Sequence, residues 1–223
     1  MADAPAFRLY GFWRSMATYR VRVALSLKGV AVEEVALDLN AGDQFAPDFL
    51  AINPEGAVPA LVEEGQPALT QSMAILEYLE ERFPQPALLP SDLAGRARVR
   101  SLCVLVVSDT HPLIVPRVHK YLADQGGFDT TRFRAWAGHW IGRGLGALEA
   151  RLAHDPQTGA FSHGDAVTFA DLTLASLAVP AQTLGFDLAP YPAVGRIVAA
   201  CAAMDAFERA HSMKQVGAPQ GRA

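Results

Sequence analysis

Cysteine is scarce: Cys103 and Cys201 are the only two in 223 residues, each set among Leu, Val and Ala. They read as reduced packing residues of a cytosolic protein rather than as a disulfide framework, and no metal site is expected. Positive charge is not concentrated anywhere. Nineteen Lys and Arg face 23 Asp and Glu, for a net charge of -4, so no nucleic-acid partner is expected. No apolar run reaches the roughly 18 to 20 residues of a membrane span, so no membrane partner is expected either. Met1-Ala2-Asp3-Ala4-Pro5 lacks the basic start and apolar core of a secretory signal, which agrees with a cytoplasmic location. Repeats and low-complexity tracts are also lacking. What is present is a chain 51% hydrophobic with 15 prolines, suited to one large compact domain or two modest ones.

The pattern along the chain changes once. Phe7-Arg8-Leu9-Tyr10 reads as a strand, and Thr18 to Leu27 as a helix closed by Lys28-Gly29. Glu33 to Leu39 alternates as a second strand. A short, irregular, partly helical piece runs from Asp43 to Ile52. The turn Asn53-Pro54-Glu55-Gly56 leads into a third strand, Val58 to Val62, and Ala68-Leu69-Thr70 makes a fourth. Ser72 to Arg82 reads as a helix with Ile75, Leu76 and Leu79 on one face. The order is βαβ, then ββα. Three prolines in the seven residues from Pro84 to Pro90 then mark a linker. Beyond it, helical spacing runs over 92–108, 112–124, 130–152, 168–184 and 193–210, and 216–223 reads as a disordered end. The domains are therefore set at 5–86 and 92–212. Thr168-Phe169-Ala170-Asp171 is a capping box with Asp at its third helical position, and Val167 and Leu172 can form the hydrophobic staple. Gly142-Arg143-Gly144-Leu145-Gly146 superficially suggests a nucleotide loop, but no strand precedes it, and close helix packing is the better reading.

The chemistry gathers at Arg14-Ser15-Met16-Ala17-Thr18-Tyr19-Arg20, where strand gives way to helix. The first N–H groups of a helix lack internal partners, and the helix dipole adds partial positive charge there. Such a spot stabilises a small anion or an ionising thiol. Ser15 could add a directed hydrogen bond and Arg14 a full charge. On the residues alone, Ser15 or Thr18 could equally well serve only as the helix cap.

Together these features resemble the cytosolic glutathione transferases, whose fold is an α/β thioredoxin-like N-terminal domain followed by an all-α C-terminal domain. Phe12-Trp13-Arg14-Ser15, Arg20 to Leu25, Asn53-Pro54, Val58-Pro59-Ala60-Leu61, Gln71-Ser72 and Asp187-Leu188-Ala189-Pro190-Tyr191-Pro192 are similar to the zeta class. Bacterial members of that class include maleylacetoacetate and maleylpyruvate isomerases. The resemblance runs from about Arg8 to Phe207. It implies a glutathione site made by Ser15, Met16, Ala17, Gln44, Val58, Pro59, Gln71, Ser72 and His111, with Ser15 and Arg14 catalytic. For His111, a capping or core role fits equally well. Free glutathione, like cysteine, ionises near pH 8.5, and lowering that by about two units corresponds to roughly 2.7 kcal/mol. The resemblance makes Pro59 cis, so that the backbone of Val58 pairs with the tripeptide, and puts the γ-glutamyl carboxylate at the Gln71-Ser72 helix start.

The chain also departs from the class. The Ser-Ser-Cys triplet is here Ser15-Met16-Ala17, Ile114-Val115 replaces polar residues, and a second carboxylate-binding arginine falls at Thr183. The reading is a glutathione-dependent cis-trans isomerase of maleyl keto acids, in which a thiolate adds, the bond rotates and elimination follows. It would serve aromatic amino acid or aromatic acid catabolism and act on a dicarboxylate as a homodimer. The alternatives are a transferase for other electrophiles such as α-halo acids, or a non-catalytic glutathione-binding protein.

Overall fold

The computed structural model describes residues 6–219 apart from Leu184, with the main chain alone at Thr183. Residues 1–5, the Thr183 side chain and residues 220–223, on which parts of the reading above fall, lie outside the described residues.

Contacts divide the chain into two units. One holds the residues up to Ala87 together with those from Met204 onward, and the other is Leu88–Ala203. Residues 204–212, which continue the helical pattern, thus pack with the N-terminal unit.

In the first unit, β1 (Phe7–Gly11), β2 (Val32–Ala36), β3 (Ala60–Glu63) and β4 (Leu69–Thr70) form a sheet in the order β2-β1-β3-β4. The β1–β2 pair is parallel, joined by helix α1 (Met16–Leu27), and the β1–β3 and β3–β4 pairs are antiparallel. On β1, Phe7, Leu9 and Gly11 face the core while Arg8 points out toward Glu33. Helices α2 (Pro47–Ile52) and α3 (Ser72–Arg82) complete the thioredoxin-like arrangement, and α1 packs on α3 and on the short α9 (Asp205–Arg209).

Charged side chains buried in this unit are paired. Arg22 meets the Glu34 carboxylate through Nε at 3.0 and 2.9 Å. Lys28 directs its ammonium at Glu80 (2.8 Å) and at the carbonyls of Phe83 (2.6 Å) and Pro86 (3.0 Å). Three donors meet three acceptors, which offsets the cost of burying the charge.

The second unit is helical: α4 (Leu93–Val107), α5 (Pro116–Gly126), α6 (Thr130–Leu152), α7 (Phe169–Thr183) and α8 (Pro192–Ala202). By length and composition 93–126 is apolar enough for a membrane span, but a 3-10 turn at His111–Leu113 divides it into α4 and α5. The helix expected from Pro112 therefore begins at Pro116, because a proline opens either kind of helix equally well. The helix expected over 193–210 is two, broken where Met204 turns extended at ψ 130°.

One half of the capping box forms, and the Asp171 N–H goes to the Thr168 carbonyl rather than to its hydroxyl. Asp171 accepts from the N–H and hydroxyl of Thr168 at 2.7 and 2.9 Å, and also from the Ser162 N–H at 2.7 Å. Burial pushes its carboxyl above the usual range, against the pull of these donors. The glycines of 142–146 lie inside α6, where a Cβ on Gly144 would clash with the Thr110 side chain, so close packing explains Gly144, whereas Gly142 and Gly146 have room for one. In the motif 187–192, Asp187 closes a turn on the Ala189 N–H, and Glu149 of α6 accepts from the Ala193 and Val194 N–H groups that open α8. Cys103 and Cys201 are buried and not joined in a disulfide, and burial raises the Cys201 thiol far above its ordinary value.

Candidate functional site

Strand register brings the N-terminal candidates to one end of the sheet. Tyr10 on β1 pairs with Ala60 on β3, and Ala60 pairs with Thr70 on β4. The chain just beyond Tyr10 leads to Ser15, the chain just before Ala60 is Val58-Pro59, and the chain just after Thr70 is Gln71-Ser72. The parallel partner contributes as well, because the Leu37 N–H donates to the Gly11 carbonyl at 2.8 Å and starts the loop that carries Gln44.

Ser15 is the N-cap of α1. Its backbone is extended (φ -70°, ψ 119°), its Oγ accepts from the Thr18 N–H at 3.2 Å, and its carbonyl receives the first helical bond from Tyr19 at 2.9 Å. The Met16 and Ala17 N–H groups precede that bond and point out of the helix start. Capping does not use up the hydroxyl: the Ser15 oxygen accepts from the helix, and a hydroxyl that accepts can still donate its proton. Thr18 is different. It is fully buried, its Cγ2 stands where a Cβ on Gly11 would come within 2.5 Å, and its hydroxyl has no partner among the described residues. Of the two residues, Thr18 is buried and Ser15 is partly exposed.

Arg14 is exposed. Its guanidinium lies over the rings of Phe12 (5.4 Å) and Trp13 (5.6 Å), and Nη2 donates to Asn40 Oδ1 at 2.9 Å. Gln44 sits in a 3-10 turn, Asp43–Phe45. Its amide N–H donates to the Leu39 carbonyl at 3.4 Å, while Oε1 is buried without a partner among the described residues.

The Asn53-Pro54-Glu55-Gly56 turn is built by Asn53, which is buried. Its amide donates to the Ala57 carbonyl at 2.8 Å and accepts from the Glu55 N–H at 3.1 Å, and Gly56 supplies a φ of +58°. The Val58-Pro59 bond that follows is cis, and the Val58 N–H and C=O make no hydrogen bond among the described residues. Gln71 is the one non-glycine with positive φ among the described residues, at 65°, and its side chain donates to Glu55 at 2.7 Å. A strained residue at a helix start is found where function over-determines the backbone. Ser72 opens α3 nearly buried, and the first helical bond there, from Ile75 to Gln71, leaves the N–H groups of Ser72, Met73 and Ala74 open.

His111 belongs to the second unit. It starts the 3-10 turn that Trp136 pins by donating to the Leu113 carbonyl at 2.7 Å, and it is half-buried. Ile114 and Val115 follow, the latter buried. Sequence reasoning gave no role to Asn40 or Glu55. The signal for Glu55 lay in the turn itself, whereas a neutral amide in a loop gives none.

Residues 5–81 match the family model of the glutathione S-transferase N-terminal domain. A maleylpyruvate isomerase from Ralstonia sp. is 45% identical over 203 residues, spanning 91% of this chain and 95% of that protein. The crystal structure of a maleylacetoacetate isomerase from Methylobacterium extorquens AM1, with bound malonate and glutathione, superposes with a TM-score of 0.93 at 52% identity, covering 96% of this chain and 100% of that one. A maleylpyruvate isomerase described as a bacterial glutathione S-transferase in the zeta class superposes with a TM-score of 0.91 at 44% identity, covering 95% and 99%. With the glutathione S-transferase fold and near-complete coverage in common, this chain belongs to the zeta-class glutathione S-transferases.

Proposed function

We propose that the chain is a glutathione-dependent cis-trans isomerase of maleyl keto acids. The observation that carries this is Ser15, a partly exposed N-cap at the open N-terminus of α1, at the same sheet end as Val58 and Ser72. The residues fit the tripeptide. The open N–H groups at the start of α3, with Ser72, suit the γ-glutamyl carboxylate, and the unpaired N–H and C=O of Val58 suit a peptide backbone. The partnerless Oε1 of Gln44 awaits a donor, and His111 is assigned a further contact. When bound, glutathione supplies a thiolate able to add reversibly to an activated double bond and so free it to rotate.

The protein's part is electrostatic and positional. Ser15 donates its proton to the sulfur, and the Met16 and Ala17 N–H groups add the helix-end potential, so that the thiol ionises near neutral pH. Arg14 orients one carboxylate of the dicarboxylate substrate. In this reading 5–86 is the glutathione domain and 92–212 the substrate-site domain of a cytosolic homodimer serving the breakdown of aromatic compounds. Apolar Ile114-Val115 after the His111 turn favours a second reading, a transferase for electrophiles such as α-halo acids. Purified protein is expected to isomerise maleylacetoacetate only when glutathione is added, and faster than it dehalogenates dichloroacetate. Dechlorination without isomerisation would put the second reading first.

A further inference from the structure

Arg14 pairs with no carboxylate among the described residues. Its only polar partner among the described residues is a neutral amide, Asn40 Oδ1 at 2.9 Å, and two aromatic rings flank it at 5.4 and 5.6 Å. A guanidinium has five N–H donors, so one bond to Asn40 leaves the others for a carboxylate. Carboxylates are nonetheless close at hand in the same loop, where Asp38 and Asp43 are used for backbone bonds instead. Asp38 Oδ1 accepts from the Asn40 N–H at 2.8 Å, and Asp43 Oδ2 accepts from the Asp38 N–H at 2.7 Å. The Asp38 carbonyl accepts from Ala41, Gly42 and Asp43 at 3.1 to 3.2 Å, and Leu37 ties the loop to the end of β1. The Asn40 side chain is thus carried on a closely hydrogen-bonded turn rather than on a free loop.

We infer that Asn40 is a positioning residue for dicarboxylate recognition, fixing the Arg14 guanidinium against Phe12 and Trp13 while leaving its charge uncompensated. The inference rests on the reading that Arg14 binds a substrate carboxylate. A neutral acceptor suits that task better than an acidic one. An acid at position 40 would hold Arg14 as firmly but would form an ion pair that the substrate must displace.

The test compares Asn40→Ala, Asn40→Asp and Arg14→Ala in the full-length protein, with malonate as an inert dicarboxylate probe and maleylacetoacetate as substrate. Melting temperature and glutathione affinity are measured alongside, and both are expected to match wild type in the Asn40 variants. Asn40→Ala is expected to raise the malonate inhibition constant and the substrate KM about threefold to tenfold, with little change in kcat. Asn40→Asp, which keeps shape and acceptor, is expected to raise them further. A purely structural role would rank the two the other way. If Arg14→Ala raises KM while Asn40→Asp binds malonate like wild type, the inference about Asn40 falls and the reading of Arg14 stands. If Arg14→Ala leaves KM and malonate inhibition unchanged, the carboxylate assignment itself falls.

Discussion

Two hydroxyls three residues apart, those of Ser15 and Thr18, show what a single residue decides. Both are the right type at the right helix end, and nothing in their order along the chain ranks them. Burial does: Thr18 is sealed inside the first unit, whereas Ser15 is partly exposed at the cap. Ser15→Ala is expected to raise the pKa of bound glutathione by about one to two units, a loss of roughly 1.4 to 2.7 kcal/mol of thiolate stabilisation. The sign follows from the donor's preference for the charged form. Removing the donor raises the pKa, so turnover at pH 7 falls and recovers as pH climbs toward the new value. Glutathione affinity is expected to change little, because Ser15 addresses only the sulfur. Thr18→Val, which replaces a buried hydroxyl that has no partner, is expected to leave the thiol titration unchanged. Thiolate absorbance against pH in the two variants checks this, and a shift in Thr18→Val alone would reverse the assignment. The local placement of Ser15, Val58 and Ser72 was legible because each belongs to a short motif with its own backbone logic. That of Asn40 was not, since its bond to Arg14 depends on a loop folding back over 26 residues.

Among the elements, those bounded by local chemistry were read closely from sequence. The α3 span 72–82 is as expected, because the strained Gln71 and the linker prolines bracket it. Elements bounded by partners were misjudged. β2 stops at Ala36 rather than Leu39 because β1, its partner, ends at Gly11 opposite it. β3 starts at Ala60 because Pro59 has no N–H to offer a ladder. The break between α8 and α9 has neither glycine nor proline, so its apolar periodicity runs straight through. The tie between elements that carries most consequence was also hidden. Lys28 was read as the basic end of α1, yet its ammonium joins α1 to Glu80 of α3 and to the chain leaving that helix, with its side chain fully buried. Lys28→Met is expected to destabilise the protein by about 3 to 5 kcal/mol, because it removes the cation that faces a buried carboxylate. Adding Glu80→Leu is expected to restore part of that loss. Urea unfolding midpoints of the single and double variants measure both.

At the scale of the whole molecule, the outer face of α4 bears on the proposed homodimer. Leu93 is 87% exposed and Val104 47% exposed, and with Ala97 and Ser101 they recur at helical spacing along one side. The opposite side of α4, with Val99, Leu102, Cys103 and Val106, is fully packed. A monomer gains nothing by leaving such a stripe to water, whereas a two-fold contact buries it twice, once on each copy. Light scattering at micromolar concentration is expected to give twice the 23.9 kDa chain mass. Leu93→Glu with Val104→Glu is expected to shift the protein toward monomer, since like charges then meet across or near the axis. Those side chains already lie in water in the single chain, so the folded monomer is expected to keep its helical circular dichroism. A monomeric wild-type mass would overturn the dimer, whereas an unchanged dimer in the double variant would move the contact off α4.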